Sequence, residues 1–144
     1  MKQITNNLWL GEYTDIKEWL SKDENNYVVY VGSDNKLKER EYPNNDRIRV
    51  FSLRDDSIPQ EKIIKDIIFY IGYPHNLKMF DQKILLCCDA GISRSPYIMA
   101  RIISRSLNCD MNNAYQMLLS VYPQADEETP LRLNDRKKGV ERIK

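Results

Sequence analysis

No stretch of this chain stays apolar for the roughly 20 residues that a helix needs to cross a bilayer, so no membrane span or membrane partner is expected. Cysteine is scarce. Cys87, Cys88 and Cys109 are odd in number and unevenly spaced, which excludes a disulfide framework. Charge of one sign is also missing. Lys plus Arg is 22 against 21 for Asp plus Glu, so a globally basic nucleic-acid binder is not expected, and any anion site must be local. The opening MKQITNNLWLGEY lacks the apolar core of a secretory leader. With unpaired thiols, a reducing cytoplasm is the expected compartment. There is no internal repeat, low-complexity tract or Pro/Gly/Ser linker, so residues 1–144 are read as one domain, long enough for a single sizeable core.

What is present alternates between strand and helix patterns. Leu8-Trp9-Leu10-Gly11 reads as a short strand closed by a turn, and Ile16, Trp19 and Leu20 recur at helical spacing. Tyr27 to Val31 is a β-branched and aromatic run ended by Gly32, hence a buried strand. The polar stretch from Ser33 to Asp46 reads as loop. Ile48, Val50 and Phe51 suggest another strand. Ser57 followed by Gln60, with Pro59 between them, predicts a capping box opening a helix. That helix carries Ile63, Ile64, Ile67, Ile68 and Ile71 on one face and stops at Gly72 and Pro74. Ile84 to Cys87 is a short apolar run expected at the centre of a sheet. Ile98, Met99, Ile102, Ile103 and Leu107 mark a further helix. Asp110 is placed to cap the next, which carries Ala114, Met117, Leu118 and Val121 and ends at Pro123. The charged tail from Leu131 to Lys144 reads as helical. This order predicts an α/β fold: a single domain with a central, largely parallel or mixed sheet flanked by helices.

The chemistry concentrates in Cys88-Asp89-Ala90-Gly91-Ile92-Ser93-Arg94, between the most apolar strand and a strong helix. A loop entering a helix N-terminus aims unpaired N–H groups at one point, and such a point binds anions, phosphate above all. Gly91 supplies the freedom a tight loop needs. Arg94 offers a planar fork of donors to phosphate oxygens. A helix N-terminus and a nearby cation also favour the thiolate of a cysteine, the form that attacks phosphorus. The five residues between Cys88 and Arg94 let the loop curl so that both face one phosphoryl group. Ser95 is placed to donate to the sulfur and help it leave. A nucleophile of this kind needs a proton donor for the departing oxygen. Asp55 and Asp56, on a loop after a strand, are the candidates.

This segment resembles the C-x5-R-S signature of the protein tyrosine phosphatase superfamily. More narrowly, the chain resembles its small dual-specificity phosphatases. ITNNLWLGEYTDI is similar to their opening strand and turn, and FSLRDDS to their acid loop, with matching order from about Ile4 to Leu119. The resemblance implies the cysteine-phosphatase fold and a two-step mechanism without metal or other cofactor. A phosphocysteine would form on Cys88 while an acid protonates the leaving group, and water would then release phosphate. In that family the acid follows an Ile-Pro-Leu-x type stretch. Phe51-Ser52-Leu53-Arg54 takes that place here, so Asp55 is the matching acid and Asp56 the alternative. The implied phosphate-binding residues are Asp89, Ala90, Gly91, Ile92, Ser93 and Arg94. The implied catalytic set is Cys88, Arg94, Asp55 and Ser95. The acid precedes the cysteine, unlike the order in low-molecular-weight tyrosine phosphatases. Two features depart from the pattern. Cys87 replaces the usual His before the nucleophile, and YPQADEETPL replaces an Arg-Pro and Asn-rich stretch.

The expected partner is a phosphorylated protein, with phosphotyrosine and phosphoserine/threonine as substrates, and not nucleic acid. Two competing functions differ in kind. One is a non-catalytic phosphate-binding module, suggested by Cys87. The other is a phosphatase for RNA 5′ ends, nucleotides or another non-protein phosphate. The loop interior has no Lys or additional Arg, which weighs against highly charged phosphoinositides. Cys87 itself reads as a small buried hydrophobe. Its sharper alternative is a reversible disulfide with oxidised Cys88. His75 reads as a loop residue. Arg132, Arg136, Lys137, Lys138 and Arg142, interleaved with Asp135 and Glu141, read as a solvated helix face.

Overall fold

The continuous apolar run around Leu85 needs cover on both sides, and the sheet is built to supply it. A computed structural model describes residues 1–32, 42, 45–71 and 82–138. Among the described residues five strands, β1 (Lys2–Gln3), β2 (Leu8–Glu12), β3 (Asn26–Val31), β4 (Ile48–Phe51) and β5 (Lys83–Cys88), form one sheet in the order β1-β2-β5-β3-β4, and of their pairings only β1–β2 is antiparallel. β5 is therefore central, with Leu86 opposite Leu10 on one side and Val29 on the other. The α/β expectation with a largely parallel sheet holds. β1 was not foreseen, because its two exposed residues carry no apolar signal.

Alternation along β5 divides the core. Ile84, Leu86 and Cys88 face the larger core with Ile64, Ile67, Ile98, Met99, Tyr115 and Leu118. This core lies under helices α2 (Glu61–Ile71), α3 (Arg94–Leu107) and α4 (Met111–Val121). Leu85 and Cys87 face the opposite layer with Tyr13, Ile16, Trp19, Leu20, Val28 and Tyr30. That layer is covered by a 3-10 turn (Tyr13–Asp15) and α1 (Ile16–Lys22). Trp19 Nε1 donates to the Tyr27 carbonyl at 2.8 Å, tying α1 to β3. Asp110 caps α4 as its residue type predicts, accepting from Asn113 N at 2.8 Å.

Two expectations are corrected. The Ser57–Gln60 capping box does not form. Gln60 is buried just before α2, and its amide grips the backbone of Arg54, with Arg54 N to Oε1 at 2.7 Å and Nε2 to Arg54 O at 3.0 Å. A buried amide satisfied at both ends outcompetes a solvent-exposed cap. The tail is helical as α5 (Pro130–Lys138), but its face is not fully solvated. Arg132 is buried, donating to Glu127 O at 3.0 Å and to Asn112, with its guanidinium 4.5 Å from the Tyr115 ring centre. Asp135 is buried against Tyr97 and Arg101. Most of the polar stretch from Ser33, the Gly72–Pro74 stop, His75, the side chains of Lys137 and Lys138, and residues 139–144 with Glu141 and Arg142 lie outside the described residues.

Candidate active site

Central β5 ends at Cys88 and α3 begins at Arg94, so the loop between them crowns the most buried strand. Gly91 carries a φ of +70°, a left-handed conformation that costs a residue with a Cβ about 1–2 kcal/mol. The position is also crowded. A Cβ there would lie 2.7 Å from Tyr122 Oη and 2.9 Å from the Gly11 carbonyl oxygen. Glycine is thus required both by the turn and by the close approach of β2 and the chain after α4. The loop is further held where Asp126 N donates to Ile92 O at 2.6 Å.

Cys88 is buried, and Ser95 Oγ donates to its sulfur at 3.2 Å. Arg94 is held at both terminal nitrogens. Nη1 donates to the Leu53 carbonyl at 3.0 Å, and Nη2 pairs with Asp89 Oδ2 at 2.7 Å. A guanidinium has five N–H donors, so two of them are spent and an edge remains for an incoming anion. Ser93, directly before α3, does not cap that helix with its side chain. Its hydroxyl donates instead to Asp55 Oδ1 at 2.7 Å. The loop after β4 is thereby brought onto the Cys88–Arg94 loop.

The two aspartates are separated by these contacts. Asp55 is exposed and reaches Ser93. Asp56 folds back into its own loop, accepting from Arg54 Nε at 3.1 Å and Ile58 N at 2.9 Å. Of the predicted phosphate-binding residues, Gly91 and Ser93 are buried in the loop, and Ala90 and Ile92 are exposed on it. Asp89 is present, but its carboxylate is directed at Arg94 and at the Tyr30 hydroxyl.

Two tyrosines escaped the sequence reading. Tyr30, at the C-terminal end of β3, donates to Asp89 from a fully buried position. Burial, then the bond to Asp89, push its phenol well above the ordinary range, so it stays a donor. Tyr122, just after α4, packs beside Gly91. Burial first, then the charge on Cys88, raise its phenol to about 12. The available signal was positional: Tyr30 precedes Gly32 at the end of a parallel strand, where sites of such sheets gather.

Cys87 is fully buried, and burial followed by the neighbouring Cys88 pushes its thiol well above the usual range. It points to the α1 layer, opposite to Cys88, as the strand period of two requires. The buried-hydrophobe reading fits this placement. Among the described residues no cluster of His, Cys, Asp and Glu could hold a metal ion, and no helix is long and apolar enough to cross a membrane.

Solved structures with the same fold include DUSP15, with a TM-score of 0.74 at 19% identity over 96% of this chain and 86% of that one. The Cydia pomonella PTP-2 phosphatase has a TM-score of 0.72 at 19% identity, covering 94% and 88%. The human tyrosine phosphatase-like serine/threonine/tyrosine-interacting protein has a TM-score of 0.72 at 16% identity, covering 97% and 96%. No curated protein matches the chain. The family description "Dual specificity phosphatase, catalytic domain" matches residues 8–137. A cysteine loop crowning the central strand, an aspartate loop folded onto it and a family match over nearly the whole chain lead to one conclusion: the chain belongs to the dual-specificity phosphatase catalytic-domain family, a family of cysteine-dependent phosphatases.

Proposed function

We propose that this chain hydrolyses phosphate monoesters on proteins, phosphotyrosine and phosphoserine/threonine alike, in a cytoplasmic setting. Cys88 is the nucleophile, and Arg94 with the backbone of residues 88–94 holds the phosphoryl group. In the first step the Cys88 sulfur bonds to phosphorus, the ester P–O bond breaks, and Asp55 gives its proton to the departing oxygen. In the second step Asp55, now a carboxylate, takes a proton from water. The resulting hydroxide displaces the sulfur, aided by the Ser95 hydroxyl. The observation that carries this reading is the Ser93–Asp55 bond of 2.7 Å, which joins the aspartate loop to the loop that begins at Cys88 and ends at Arg94.

A protein substrate is favoured over a polyanion by charge. Between Cys88 and Arg94 the loop has no basic residue and one acidic one, Asp89, whose ion pair uses part of the guanidinium. The test is turnover of an aryl phosphate, then of a panel of phosphopeptides, nucleotides and RNA 5′ phosphates. Cys88→Ser is expected to abolish turnover while the thermal melt is retained. Undiminished turnover in that variant removes the mechanism, and a preference for nucleotides or RNA removes the protein substrate.

A further inference from the structure

The interior of the Cys88–Arg94 loop holds a carboxylate that phosphate chemistry does not need. Asp89 sits where an incoming dianion would meet a like charge, and such a residue is unfavourable there unless it serves the cradle itself. Its two oxygens have separate partners. Oδ2 lies 2.7 Å from Arg94 Nη2, and Oδ1 accepts from the Tyr30 hydroxyl. Tyr30 is fully buried on β3, beside the central strand that carries the loop. The fold reserves room for this contact. A Cβ on Gly32 would lie 2.9 Å from Tyr30 Oη and 3.3 Å from Asp89 Oδ1.

Resting on the reading of Arg94 as the phosphate clamp, we propose that Tyr30 and Asp89 are positioning residues for it, a relay that fixes the guanidinium from the sheet. The Leu53 carbonyl holds one terminal nitrogen of Arg94 and Asp89 holds the other. A planar fork pinned at both terminal nitrogens has lost most of its side-chain freedom before the anion arrives. That entropy is then not charged to binding. The charge of Asp89 acts against phosphate, while the order it imposes acts in favour. The proposal is that order prevails, because the pair is charge-assisted, short and largely shielded from water, with Arg94 only 15% exposed and Asp89 29% exposed at the side chain. Tyr30 matters because it prevents Asp89 from swinging out to solvent. Its phenol cannot ionise near neutral pH and compete as an acceptor.

The relay predicts coupling between two residues whose side chains need never touch substrate. The experiment is calorimetric binding of tungstate, a tetrahedral oxyanion that is not turned over. It is made on the native chain, Asp89→Ala, Tyr30→Phe, the double variant and Asp89→Asn, with thermal melts to establish that each is folded. Asp89→Ala is expected to weaken binding about ten-fold, the scale of one charge-assisted hydrogen bond. Tyr30→Phe is expected to weaken it about three-fold in the native background and not at all in Asp89→Ala. Asp89→Asn keeps an oxygen for Nη2 and restores most of the affinity. A purely structural role for Tyr30 would lower the melt without this non-additivity. Unchanged or tighter binding by folded Asp89→Ala would show a carboxylate that merely repels the anion, and would overturn the proposal. Equal effects of Tyr30→Phe in both backgrounds would also overturn it. A native chain that binds no tungstate would remove the clamp reading beneath it, and the relay with it.

Discussion

Exchanging the two aspartates for asparagine, one at a time, separates the acid from its neighbour. Asp55→Asn keeps an oxygen that can accept from Ser93, whose hydroxyl lies 2.7 Å from the native carboxylate, so the loop stays seated. What is lost is a transferable proton. General acid catalysis contributes about 10²- to 10⁴-fold, or about 3 to 5 kcal/mol of barrier. The loss is expected in full for alkyl or phenyl phosphates, whose leaving oxygens need the proton. It is expected to fall below about ten-fold for nitrophenyl phosphates, whose oxygens leave readily. Asp56→Asn keeps an acceptor for Ile58 N and gives up only an exposed pairing with Arg54. Such a pair is worth about 0–1 kcal/mol, so kcat/KM should fall less than about five-fold, equally for all leaving groups. The assay is kcat/KM across a series of aryl phosphates of graded leaving-group acidity. A steep leaving-group dependence in Asp56→Asn, or a native dependence in Asp55→Asn, would refute the assignment.

Gly91→Ala must place a Cβ at positive φ and against Tyr122 Oη and the Gly11 oxygen. The expected result is a melting temperature lower by several degrees and a kcat/KM reduced at least about ten-fold; a variant with native kinetics would mean that the loop geometry is not required. Tyr122 titrates at about 12 in the fold, against about 10 for an unfolded tyrosine. Its neutral form therefore adds stability below about pH 10 that is lost as pH rises towards about 12. Denaturant unfolding at about pH 8 and about pH 11 should show this loss, and Tyr122→Phe should reduce it; an unchanged slope would contradict the shift. Mild peroxide followed by peptide mass spectrometry should reveal no Cys87–Cys88 disulfide, because the two side chains leave opposite faces of β5 and a bond between them requires the strand to break. Its detection would reinstate Cys87 as a redox partner.

The elements that position the site were legible because their signals are local. ILLC reads as a buried parallel strand, Gly91 as a tight turn and Asp110 as a cap, and each acts through neighbours a few residues away. The misreadings come from side chains with two possible partners. Gln60 carries the right chemistry for a capping box, but the Arg54 backbone offers it two buried bonds instead. Arg132 and Asp135 lie in an alternating charge pattern that suits a wet surface. Their burial depends on Tyr115, Asn112 and Tyr97 arriving from α3 and α4, which spacing within α5 cannot express. The carboxylate of Asp89 has partners that its place in the loop does not show, Arg94 along the chain and Tyr30 across the sheet, and only topology brings the second one near.

The placement of Cys88 at the end of β5 also bears on how the thiol can be reached. β5 is paired on both sides and covered on both faces, the situation in which local opening approaches the free energy of global unfolding. Fraying therefore offers reagents no shortcut to this sulfur. An alkylating agent or oxidant must enter through the mouth of the loop in the native state. Its rate should follow what occupies that mouth and be insensitive to mild denaturant, while amide hydrogens along Leu85 and Leu86 exchange among the slowest in the molecule.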